Sequence, residues 1–75
     1  MTPHLEHCLG VEPGNRDEHG HWIITHYQGV ESWQSEARAP GSLTYPQACE
    51  YVIQKNITEG YSLELMARII GAYDA

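Results

Sequence analysis

Residues 43–55 read Leu43-Thr44-Tyr45-Pro46-Gln47-Ala48-Cys49-Glu50-Tyr51-Val52-Ile53-Gln54-Lys55, and this stretch decides the fold. Thr44 is a good N-cap, because its hydroxyl accepts a hydrogen bond from an orphan N–H of the first turn. Gln47, three residues on, is placed to reach back to the cap and complete a capping box. Pro46 falls in the first turn, where its missing N–H leaves no bond unmade. Tyr45, Ala48, Cys49, Val52 and Ile53 then recur at the spacing of one helical face. The chain therefore holds an amphipathic helix, and the other residues must build the surface that covers its stripe.

Upstream, residues 21–28 are rich in aromatic and β-branched side chains and read as a strand. Gln28-Gly29-Val30-Glu31 is a turn signal. Residues 32–39 alternate, with Trp33, Ser35, Ala37 and Ala39 on one face and Gln34, Glu36 and Arg38 on the other. That pattern predicts a half-buried antiparallel strand with a wet outer face. Pro40 and Gly41 end it and lead into the helix.

Downstream, Asn56 to Gly60 reads as a break. Tyr61 to Ile70 supports two readings. As a helix, Ser62 caps it, Gly71 ends it, and Leu63, Met66, Ala67 and Ile70 form the stripe; the residue types are good helix formers. As a strand, Tyr61, Leu63, Leu65, Ala67 and Ile69 point inward. A lone hairpin is marginal and a third strand completes a platform for the helix, so the expectation is a strand. Residues 1–20 are expected to be irregular, with Leu5, Leu9 and Val11 as aliphatic anchors that pack as a loop or pair weakly at the sheet edge. The expected fold is α+β: a single domain over residues 1–75, with a β-β-α-β core over 21–70. It has an antiparallel sheet of about three strands and one amphipathic helix.

At 75 residues the chain has a modest core and a narrow stability margin. Phe is absent, so five Tyr and two Trp supply the aromatic bulk. Each carries a polar atom that favours the core edge or an interaction face. The formal charge is −6, and Arg16, Arg38, Lys55 and Arg68 are too few and too scattered for a nucleic-acid footprint. The acidic balance suits a partner with a basic surface. No apolar run has the length of a membrane span, and the first residues lack the basic and apolar regions of a signal peptide. Two cysteines are too few for a disulfide framework, so a cytoplasmic protein with reduced thiols is expected.

Ligand-type residues gather near the N-terminus: His4, His7, Cys8, His19, His21 and His26. Imidazole and thiolate are preferred zinc ligands, and a small domain gains much from a metal. The spacing fits no standard finger, however, and exposed histidines in a polar segment account for the group as well. No cofactor is expected; a metal site using His4, His7, Cys8, His19 and His21 is the alternative. Cys8 beside His7 is the only thiol–imidazole pair in the sequence, yet adjacent residues rarely face one another and an active thiol needs a cationic setting. Cys49 reads as a small core residue. The carboxylates are spread out, and no phosphate loop or nucleophile elbow is present. The chain is not expected to be an enzyme.

Interaction remains. Trp and Tyr are the usual anchors of protein interfaces. Trp22 shares its strand with Ile23, Thr25 and Tyr27 on the opposite face, so one of Trp22 and Trp33 could point outward as an anchor; the favoured reading is that both sit in the core in place of the absent Phe.

The strand–turn–strand order, followed by Thr44-Tyr45-Pro46-Gln47-Ala48-Cys49-Glu50-Tyr51-Val52 and then Gly60-Tyr61-Ser62-Leu63-Glu64-Leu65-Met66-Ala67-Arg68-Ile69, resembles the layout of small phage and mobile-element proteins. Among these are phage inhibitors of host RNA polymerase and some anti-CRISPR proteins. The resemblance covers about residues 21–70, is architectural and carries over no residue. It implies a protein that works by covering a host surface. The expected function is thus a non-enzymatic acidic protein-binding module, an inhibitor of a basic host protein, with Trp22 or Trp33 as anchor and Glu31, Glu36, Glu64, Asp17 and Glu18 steering encounter. A homodimerising accessory subunit is the further alternative.

Overall fold

The computed structural model describes residues 7–74, with side chains as far as Gly71. Three strands, β1 (His7–Gly10), β2 (Trp22–Gln28) and β3 (Glu31–Ala39), precede two helices, α1 (Tyr45–Glu59) and α2 (Leu63–Asp74). The strands form one antiparallel sheet in the order β1-β2-β3, so β2 is central. The class is α+β, as the sequence implies.

The β2–β3 hairpin turns through Gly29 and Val30. Gly29 has φ +60 and, among the described residues, no non-glycine residue has a positive φ, the pattern of a type II′ turn with glycine first. This short turn sets Gln28 opposite Glu31, Tyr27 opposite Ser32, and His26 opposite Trp33. Further along, the register shifts between Ile23, opposite Arg38, and Thr25, opposite Gln34. The resulting bulge is stitched by Ser35, whose hydroxyl donates to the Ile24 carbonyl (2.7 Å) and accepts from the Ala37 N–H (3.1 Å). β3 was expected to be half-buried, but it is exposed along most of its length and only Ala39 is fully buried. The physical reason is placement: the helices pack against β1, and β3 overhangs.

α1 begins as its sequence requires. The Thr44 hydroxyl accepts from the Gln47 N–H and the Gln47 carboxamide accepts from the Thr44 N–H, closing the capping box. The expected break at Asn56 is not there. The helix runs to Glu59 and stops at Gly60, whose left-handed φ of 76 forms the C-cap. Asn56 is wholly buried and extends the stripe of Ala48, Cys49 and Val52.

The strand expected over Tyr61–Ile70 is the helix α2. Ser62 caps it through its hydroxyl to the Leu65 N–H (3.1 Å). Leu65 and Met66, neighbours in sequence, are both buried while Leu63 is 44% exposed. That pattern fits a 3.6-residue period and not a strand's alternation. Local propensity prevails because the sheet takes its third strand from the other end of the chain. β1 lies within the segment expected either to pack as a loop or to pair at the sheet edge; it does the latter, over only four residues.

As an edge strand, β1 needs partners for its outward backbone groups. Asn56 supplies them: its Oδ1 accepts from the Leu9 N–H (2.8 Å) and its Nδ2 donates to the Leu9 carbonyl (3.0 Å). The Ser62 N–H donates to the His7 carbonyl at 2.8 Å. The helix pair therefore closes one side of the sheet.

Trp22 is 2% exposed and belongs to the core. Its indole N–H donates to the Leu43 carbonyl (2.9 Å), and the Arg16 guanidinium lies 4.0 Å over its ring. Arg16 also donates to the carbonyls of Gly20, Gly41 and Leu43, tying the N-terminal loop to the approach of α1.

Candidate functional site

Four rings form a row from the α1–α2 junction to β3. Tyr61 stacks on His7 (centroids 4.4 Å apart), His7 Nε2 meets His26 Nδ1 at 2.9 Å, and His26 lies parallel to Trp33 (5.3 Å, 2° between planes). The His26–Trp33 stack is a direct cross-strand pair set by the hairpin register. The His7–His26 contact requires one nitrogen to donate and the other to accept, so at least one ring is neutral there. Burial, and then the neighbouring His7 charge, hold His26 below the usual histidine range. A hollow of about 200 Å³ lies beside the row, between the sheet and the end of α1, with Ile24, His26, Lys55, Glu59 and Tyr61 in its wall.

Trp33 is 42% exposed and is the outward tryptophan; Trp22 is ruled out as an exposed anchor by its burial. Val30, at the hairpin tip, is fully exposed and was not anticipated as a site residue. The two-residue turn was the signal for both features, since it fixes which side chain faces Trp33 and which stands at the tip. Glu31 and Glu36 lie exposed on β3. Arg38, on the same strand, is bound to Asp17 at 3.0 Å. Desolvation raises the Asp17 carboxyl, but backbone N–H bonds from His21 and His19 and the Arg38 guanidinium outweigh it and hold it low. Glu64 stands apart, in the first turn of α2, whose sheet neighbour is β1.

The other sequence candidates do not assemble. His4 lies outside the described residues. His7 belongs to the ring row, while His19 and His21 sit in the loop before β2, their rings 6.5 Å from each other. Among the described residues no three His, Cys, Asp or Glu side chains gather to hold a metal. Cys8 is fully buried, and burial pushes its thiol up to about 11, against the activation a nucleophile needs. Cys49 is buried on the α1 stripe, and both cysteines are free thiols. No helix among the described residues is long and apolar enough to cross a membrane.

What the arrangement offers is recognition chemistry: a braced indole, an exposed aliphatic tip, and two carboxylates along one open strand. No known protein family matches this chain, and neither the curated proteins nor the solved structures contain a match to it.

Proposed function

We propose that this protein is a non-enzymatic, acidic protein-binding module that docks a partner's basic surface onto β3. The observation that carries the reading is Trp33: a large aromatic side chain left exposed on an open strand and braced face-to-face by His26. A braced ring loses little conformational freedom on binding, which suits an anchor. Glu31 and Glu36 flank it, and the chain's net charge of −6 steers a cationic partner toward it. Within this reading the module works in the cytoplasm, where its two free thiols stay reduced. Its specific form is a phage- or mobile-element-encoded inhibitor that covers a basic host protein, as the layout of the chain suggests.

The test is affinity capture from a lysate of the source organism, using tagged wild type beside Trp33→Ala and a Glu31→Lys, Glu36→Lys pair. A stoichiometric partner retained by the wild type and lost with both variants is the expected result. A partner retained equally by all three places the binding surface elsewhere and overturns the assignment to β3.

A further inference from the structure

The two edges of this sheet are treated differently, and the difference identifies a form of partner. On β1 the Leu9 N–H and C=O are taken by the Asn56 carboxamide and the His7 carbonyl by the Ser62 N–H. On the far side, no described element lies beside β3. Because Leu9 spends its backbone bonds outward, its opposition to His26 is the non-hydrogen-bonded kind. His26 then directs its own backbone groups to β3, where Trp33 is its opposite number. By the same alternation, Ser32 and Gln34 turn their N–H and C=O groups to the open side. Both residues are exposed.

We infer that this edge takes an extended, arginine- or lysine-bearing segment of the partner by strand addition along Glu31–Gln34; this rests on the docking role proposed for β3. The bulge sets the far limit of the usable edge. Past Gln34 the ladder is interrupted, and the Ser35 and Ala37 carbonyls accept from Arg38 Nη1 at 2.7 and 2.9 Å. The near limit is the turn at Gly29–Val30. Between them Ser32 and Gln34 offer main-chain hydrogen bonds, the source of affinity in strand addition.

Side-chain chemistry selects the occupant. The Trp33 indole lies parallel to His26 on the β2 side, so its other face looks away from β2, across the open edge. An added strand would set a side chain in register with Trp33 against that face, and a guanidinium or ammonium there gains a cation–π contact. Glu31 and Glu36 stand on either side of Trp33 in the strand, while the cation of β3, Arg38, is already paired with Asp17. A second copy of this chain would set like charges against Glu31 and Glu36, so charge favours a basic segment over self-pairing.

The probe is a capped octapeptide of alternating arginine and valine, compared with the same peptide N-methylated at alternate backbone nitrogens. Binding is read by amide shifts and by hydrogen exchange of the intact protein. The expected result is protection of the Ser32 and Gln34 amides on binding. N-methylation should weaken binding about tenfold through lost main-chain bonds, and Trp33→Ala about threefold or more. Equal binding of the two peptides, or binding that leaves Ser32 and Gln34 unprotected, overturns strand addition and leaves the docking reading standing on its own capture test. Protection that grows with protein concentration in the absence of peptide identifies a second copy as the occupant and overturns the basic-segment assignment. No binding of either peptide at millimolar concentration likewise overturns it.

Discussion

Asn56 stands beside Leu9 in the place of a fourth strand. Its carboxamide presents an acceptor to the Leu9 N–H and a donor to the Leu9 carbonyl, and its Nδ2 also reaches the Met66 sulfur at 2.9 Å. Asparagine and glutamine alone among side chains carry the same donor–acceptor pair as a peptide unit. Asn56→Leu keeps the bulk and removes both bonds, leaving two backbone groups of a buried residue unpaired. The expected loss is about 3 kcal/mol or more, read as a fall in the urea midpoint. Asn56→Asp is expected to be at least as damaging, since a carboxylate there would face the Leu9 carbonyl without a proton to donate. A variant of wild-type stability would show that the bridge contributes nothing.

Glycine positions sort by what a methyl group would meet. A Cβ on Gly10 falls 2.8 Å from Tyr27 Cε2, in a ring pinned by the Tyr27 hydroxyl donating to Glu12 Oε2 at 2.9 Å. Gly10→Ala should cost about 1–3 kcal/mol through overpacking. Gly71 in α2 has open space and no positive φ. Gly71→Ala should stabilise by about 0.5–1 kcal/mol by raising helix propensity. Thermal melts of the two variants should move in opposite directions.

Stability should fall at both ends of the pH scale. His26 has a depressed folded-state pKa, so the unfolded chain binds more protons near and below the ordinary histidine value. Its contribution is present above about pH 6.5 and is lost on acidification. Cys8 is displaced the other way, from 9.0 to about 11. The folded thiol keeps its proton after the unfolded one has lost it, so stability declines above about pH 9. Urea midpoints across pH 5–10 check both limbs. Cys8→Ala should remove the alkaline decline and His26→Gln should flatten the acidic one.

The two tryptophans should behave differently when truncated. Trp22→Ala removes a core ring, its bond to Leu43 and its contact with Arg16, for a loss of about 3–5 kcal/mol. Trp33→Ala touches an exposed ring and should cost about 1 kcal/mol or less, mainly its stack with His26. Chemical denaturation with circular dichroism separates the cases. A large loss at Trp33 would make that ring structural.

The capping box of α1, the two long strands and their turn were legible because each rests on chemistry within a few residues. The other elements depended on neighbours far along the chain. Asn56 has the look of a breaker, and only the Leu9 edge reveals why an amide is buried there. Propensity pointed correctly to helix over Leu63–Ile70; the argument for a strand failed because β1, whose edge pairing was one of two readings of a short polar segment, fills that place in the sheet. The His26–Trp33 pair is implied by the turn length but was not among the expectations from sequence, whereas the His7–Tyr61 stack needed the sheet order and the helix junction together.

The bonds between Leu9 and Asn56 join positions 47 residues apart. Contacts of such separation demand a large loop closure before they return any stabilisation, and they slow folding. On a ribosome, β1 would wait with its outer edge open until the middle of α1 had been made. The Ser62 link to His7 arrives later still. A strand made before both helices is therefore secured only when they follow, and removing α2 with Ser62 would loosen β1.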